Sequence, residues 1–138
     1  MTQELIGKTV ASRYLVQRLI AQGGMAAVYE ARDLRLERTV AIKIVHSHLL
    51  GDKAFIERFE AEAKNAAKLN HPNLVNVLDQ GEDGDLVFLV MEYVPGMTLR
   101  DAMNRYGALE SVRSLELLEY VLAGLSAAHR AGILHRDI

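Results

Sequence analysis

The chain has 138 residues, half of them hydrophobic and a quarter charged, with a formal net charge of −2. That balance fits one globular domain able to bury a core, and without a basic face it excludes a nucleic-acid-binding role. No Cys is present, which excludes a disulfide framework, a thiolate zinc site and a cysteine nucleophile.

The first residues, Met1-Thr2-Gln3-Glu4-Leu5, lack the basic and apolar regions of a signal peptide. Tyr14 to Ile20 reads as a strand, with Leu15, Leu19 and Ile20 apolar. Gln22-Gly23-Gly24-Met25-Ala26 is a small turn, and Ala27 to Asp33 closes a hairpin. Thr39 to Val45 is a third strand, rich in β-branched residues. His46 and His48 then flank Ser47 in what reads as a solvated loop. Asp52 is placed to cap a helix from Lys53 to about Leu69, ahead of His71-Pro72-Asn73. Val75 to Leu78 and Leu86 to Tyr93 are strands around a turn at Gly81-Glu82-Asp83-Gly84. The run Leu86 to Met91 is the longest apolar stretch and far too short to span a bilayer. The expected location is therefore the cytoplasm, with any membrane anchor outside these residues. Past Pro95-Gly96, Thr98 caps a short helix with a capping-box form, and a longer helix runs from Ser111 to about Ala131, stopping at Gly132. His129 falls with Leu115, Leu118, Leu122 and Leu125 and reads as a core histidine. Strands give way to helices near Pro95, so the expected division is 1–95 and 96–138.

Two charges stand out against this pattern. On the helix from Lys53, the residues Phe55, Ile56, Phe59, Ala63, Ala66 and Leu69 share one face, and Glu62 falls inside that stripe, with Glu57 and Glu60 at or beyond its margin. A carboxylate there needs a cation, unless it lies at the rim and reaches water. On the third strand, Val40, Ile42 and Ile44 face one way, and Ala41 and Lys43 the other. Lys43 is either a lysine whose stem is buried and whose head reaches water or the partner of Glu62, held where it reaches a phosphate. Gly23 and Gly24 fit a plain hairpin, or a loop whose free amides meet phosphate oxygens. His135-Arg136-Asp137 is a charged loop or a general-base site. The remaining histidines show no metal-binding spacing, and no metal ligand set is assigned.

These pieces, in this order, resemble the protein-kinase signature set. Ala21 to Tyr29 resembles the glycine-rich loop, Val40-Ala41-Ile42-Lys43 the lysine motif, Glu62 its glutamate partner, Met91-Glu92-Tyr93-Val94 the segment that meets adenine, and His135-Arg136-Asp137 the start of the catalytic loop. The Gly-Gly-Met form is similar to bacterial, notably actinobacterial-type, serine/threonine kinases. The resemblance implies an α+β fold: a five-stranded antiparallel sheet with one helix, then the first helices of a helical lobe. It implies a serine/threonine protein kinase that transfers the ATP γ-phosphoryl group to a protein substrate. Lys43 would hold the phosphates and pair with Glu62, and Asp137 would orient the substrate hydroxyl. Val28 and Ala41 would cover adenine, Met91 would stand at the back of its pocket, and the backbone of Glu92 and Val94 would read its edge. The backbone of Ala21, Gln22, Gly23, Gly24 and Met25 would cover the phosphates. Alanine at Ala21, where the family has glycine, would weaken phosphate binding. The family uses Mg²⁺, whose ligands lie beyond Ile138, so these 138 residues are expected to be inactive alone. The alternatives are a non-catalytic kinase-like binding module or an inactive fragment. The apolar stripe of the 111–131 helix is expected to favour self-association.

Overall fold

The computed structural model describes residues 2–135, arranged as two compact units. The first comprises the chain to Lys68 together with Asn76–Tyr93, and the second Leu69–Val75 together with the chain from Val94 onward. The sheet unit thus ends just before Val94, and the turn after the first long helix belongs to the helical unit.

The first unit is a six-stranded antiparallel sheet, β1 (Thr9–Val10), β2 (Tyr14–Gln22), β3 (Ala26–Asp33), β4 (Arg38–Val45), β5 (Val77–Asp83) and β6 (Leu86–Glu92), in the spatial order β1-β2-β3-β4-β6-β5. Five strands were expected. The sixth, β1, has two residues and joins β2 through Ala11 and Ser12, both at positive φ (50° and 54°). A pair so short carries no periodicity for a sequence to display. β5 also runs further than expected, through Gly81. That glycine is not a turn residue. It pairs with Phe88, and a Cβ there would lie 3.0 Å from the Phe88 ring, so Gly81 makes room for an aromatic of the core. The turn falls to Gly84 and Asp85, with Gly84 at φ +58°, the sign a primed hairpin turn needs at its first central position.

One face of the sheet forms the core: Val10, Tyr14, Val16, Ala27, Tyr29, Ala31, Val40, Ile42, Ile44, Phe88 and Val90, with Leu5, Leu19 and Leu86 packed against it. The sheet curls. Tyr14 of β2 donates its hydroxyl hydrogen bond to Asp79 of β5 at 2.6 Å, and the Ala11 amide donates to Asp83, although β2 and β5 are not neighbours in the sheet. Burial and the Asp79 carboxylate both push the Tyr14 phenol up from its ordinary pKa. Beside it, Asp33 has no side-chain exposure. It accepts two bonds from Arg13, each 2.9 Å, and the Arg35 and Leu36 amides at 3.1 and 3.2 Å. The Arg13 hydrogen bonds, with those amides, hold the Asp33 carboxyl well below the usual carboxylate range, against the opposing effect of burial.

Helix α1 (Lys53–Ala67), capped by Asp52 through the Phe55 amide, packs against β5. The second unit holds α2 (Leu99–Tyr106), capped by Thr98, and α3 (Ser111–Arg130). Gly124 and Ala128 are the buried positions of α3. Asn73 donates to the Tyr120 carbonyl at 2.9 Å, and a Cβ on Gly124 would stand 3.0 Å from the Asn73 carbonyl. Leu115, Leu118, Val121 and Leu122 are exposed, and so is His129. His129 is therefore not a core histidine. The face of α3 covered among the described residues is the small-residue face, and His129 lies off it. No described helix is long and apolar enough to cross a membrane.

The sign of the Asp33 effect fixes a pH dependence. A carboxyl with a lowered folded pKa contributes stability fully present above its unfolded value of about 3.9, lost as pH falls toward its folded one. Asp33→Asn is expected to cost about 1.5–3 kcal/mol at pH 7, and the gap from wild type should shrink steadily below about pH 4. Urea unfolding at stepped pH measures both. A gap that does not depend on pH would contradict this account.

Candidate active site

The face of the sheet opposite the core carries most of the candidate residues, and the register explains how they meet. Ala21 pairs with Val28, Val28 with Lys43, and Lys43 with Leu89, so one row crosses β2, β3, β4 and β6. Two residues along β4, Ala41 pairs with Met91 and shares the face of Lys43 by strand alternation. Ala41 is buried, while Val28, Lys43 and Met91 are half-buried. This is an apolar floor of Val28, Ala41 and Met91 beside a single ammonium. At its margin Arg18 and Glu30 form an ion pair at 2.5 Å. A flat heteroaromatic ring and an anion attached to it match these two chemistries.

The β2–β3 turn is open above this row. Gln22, Gly23, Gly24 and Met25 are exposed, and the Gly23 amide closes the turn on the Ala26 carbonyl at 3.0 Å. Among the described residues, the amides of Gly24 and Met25 make no hydrogen bond. They are donors an anion can take. Ala21 sits inside β2, paired with Val28 and without positive φ. Alanine there strains nothing, so the expectation that it deprives the loop of needed freedom finds no support in this backbone.

The predicted Lys43–Glu62 pair is not formed. Among the described residues no ion pair joins them. Glu62 is exposed, Ala63 is the buried residue of α1, and Phe55, Ile56, Phe59, Glu60 and Ala66 are half-buried. The covered part of the apolar arc is narrower than the residue pattern suggests: it centres near Ala63, which leaves Glu62 about 100° away around the helix and brings Glu60 to the flank. At the end of β6, the Glu92 amide donates to the Asn76 carbonyl at 2.8 Å, and the Glu92 carboxylate accepts from the Asn76 amide at 3.2 Å. Val94 belongs to the second unit, and its amide makes no hydrogen bond among the described residues. Arg136 and Asp137 lie outside the described residues.

Sequence reasoning missed four participants. Arg13 and Asp33 hold β2 to β3, and a lone acid at a strand end was the available signal. Asp79 anchors Tyr14 across the sheet with no local signal at all. His46, read as a loop residue, contacts the glycine turn: its Nε2 lies 2.7 Å from the Gly23 carbonyl.

Against known proteins, residues 14–138 match the protein kinase domain model. The chain is 45% identical over 134 residues to the serine/threonine-protein kinase PrkC of Bacillus subtilis, covering 97% of this chain and 21% of that one. It is 49% identical over 127 residues to PknL of Mycobacterium tuberculosis, covering 92% and 32%. Among solved structures, the Mycobacterium tuberculosis PknI kinase domain superposes with a TM-score of 0.82 at 30% identity, over 97% of this chain and 54% of that one. The chain thus spans about a fifth to a third of these curated relatives' length.

The helix orientation has a direct check. Glu62→Gln is expected to leave unfolding free energy within about 0.5 kcal/mol of wild type. Ala63→Asp, which buries an unpaired carboxylate, should cost at least about 2 kcal/mol. Urea titration of both variants tests this, and the reverse ranking would place Glu62 inward.

Proposed function

The chain belongs to the protein kinase family, and from that premise we propose that it carries the ATP-binding part of a serine/threonine protein kinase acting on protein substrates. The observation that carries this reading is the row Ala21–Val28–Lys43–Leu89, with Ala41 and Met91 beside it. It sets one cation against an apolar floor below a turn with free amides.

Val28 and Ala41 cover the adenine, Met91 bounds it, and the backbone at Glu92 and Val94 reads its edge. Lys43 holds the α- and β-phosphates under the amides of Gly24 and Met25. This charge neutralisation and positioning is most of what a protein contributes to phosphoryl transfer. Asp137 accepts the proton of the substrate hydroxyl. Magnesium, when bound, neutralises charge on the phosphates. Among the described residues no three His, Asp or Glu side chains converge as a metal requires. Glu62 joins Lys43 only after α1 turns inward, which makes the helix a switch of the kind that biases kinases between states.

The exposed stripe Leu115, Leu118, Val121 and Leu122 supports self-association of this chain, since burying one leucine is worth about 1.5–3 kcal/mol. Sedimentation velocity on the chain should show species above the monomer. A compact monomer at every concentration would reject it.

The kinase reading is tested in the full-length protein with γ-labelled ATP and a generic protein substrate. Label should appear on Ser or Thr and fall by about 100-fold or more in Lys43→Met and in Asp137→Asn. Transfer that persists in both variants would overturn it.

A further inference from the structure

The β2–β3 turn is held from behind by one residue. The His46 amide donates to the Met25 carbonyl at 2.9 Å, and the same residue's Nε2 meets the Gly23 carbonyl at 2.7 Å. A carbonyl only accepts, so Nε2 carries the proton. His46 follows β4 with extended backbone (φ −63°, ψ 140°), which continues the alternation Val40, Ile42, Ile44 and places it on the core side, opposite Lys43. It lines a cavity of about 450 Å³ with Ala27, Tyr29 and Ile44. The His48 ring stacks on it at 5.7 Å and 19°, which fixes the ring plane.

The consequence follows from peptide geometry. In a trans peptide the carbonyl of one residue and the amide of the next point in opposite directions. A Gly23 carbonyl tied toward the core side turns the Gly24 amide toward the face that carries Lys43. We infer that His46 is a positioning residue for the phosphate site: by donating from Nε2 to the Gly23 carbonyl on the rear of the sheet, it aims the Gly24 amide at the nucleotide phosphates. The peptide joining Gly23 and Gly24 has no other hydrogen bond among the described residues, and with no side chain on either residue it can rotate when that tether is lost. The inference rests on the nucleotide reading above. Both the neutral Nε2–H tautomer and the imidazolium donate, so the tether holds through either protonation state.

The test compares ATP with adenosine, which occupies the apolar floor but has no phosphates. Titration calorimetry is done on the full-length protein, wild type against His46→Leu and His46→Gln. His46→Leu should weaken ATP binding by about three- to tenfold, the worth of one hydrogen bond, and leave adenosine binding unchanged. His46→Gln, whose amide nitrogen can replace the donor, should restore most of the ATP affinity. Equal ATP binding in wild type and His46→Leu overturns the inference, as does equal loss of ATP and adenosine, or failure of His46→Gln to restore. Wild-type protein that binds neither ligand overturns the nucleotide reading and this inference with it.

Discussion

The first unit depends on the two-residue period of β4. That strand pairs on both sides, with β3 and with β6, so its register is fixed twice. Val40, Ile42 and Ile44 enter the core, and Lys43 is left on the other face. A slip of one residue would exchange the faces, burying an ammonium and exposing three β-branched side chains. Burial of an unpaired charge costs far more than the ordinary margin of stability allows. Folding itself therefore sets Lys43 beside Val28 and Leu89. The row proposed to meet the nucleotide is the by-product of the row that makes the core.

The same core has to be closed at an edge, and here polar groups do what apolar burial does not. Tyr14 places its ring against Phe88, with centroids 6.1 Å apart, while its hydroxyl reaches Asp79. Gly81 leaves the space that Phe88 fills. Apolar contact alone is non-directional and would let β5 slide. The Tyr14–Asp79 bond and the Ala11–Asp83 bond give the curl a defined register. Asp33 works similarly at the β3–β4 turn. Its two oxygens are spent on Arg13, Arg38 and two turn amides, so a fully buried carboxylate is satisfied rather than stranded.

What was legible in the sequence is what repeats locally. The strands β2, β3 and β4 show alternation, β6 is a continuous apolar run, α1 and α3 show helical spacing and stops, and the caps Asp52 and Thr98 stand at the starts. The Lys43 face follows from that alternation. What was not legible depends on rotation or on distance along the chain. The arc of α1 held both Glu60 and Glu62 within reach of the boundary, and only packing against β5 decides which is drawn in. His129 shared a stripe with leucines, but α3 has two faces with small or apolar residues, and Asn73, far away in sequence, selects the one with Gly124. Asp79 and Tyr14 are separated by 65 residues, and nothing local to either marks the bond.

The glycine turn shows how a site can be told from a fold requirement. Glycine is usually kept for positive φ or for close packing. Gly84 meets the first need and Gly81 the second. Gly23 and Gly24 meet neither. Both lie outside the positive-φ region, a Cβ on Gly23 would rest 3.5 Å from the Ala26 carbonyl in ordinary contact, and one on Gly24 would meet nothing within 4 Å. The protein would fold with alanine at both places. Their bare backbone leaves room for the approach from outside proposed above, and His46 meets the Gly23 carbonyl. Ala21 fits the same logic in reverse: inside β2 and paired with Val28, it lies where the strand is already built, so a side chain is tolerated there.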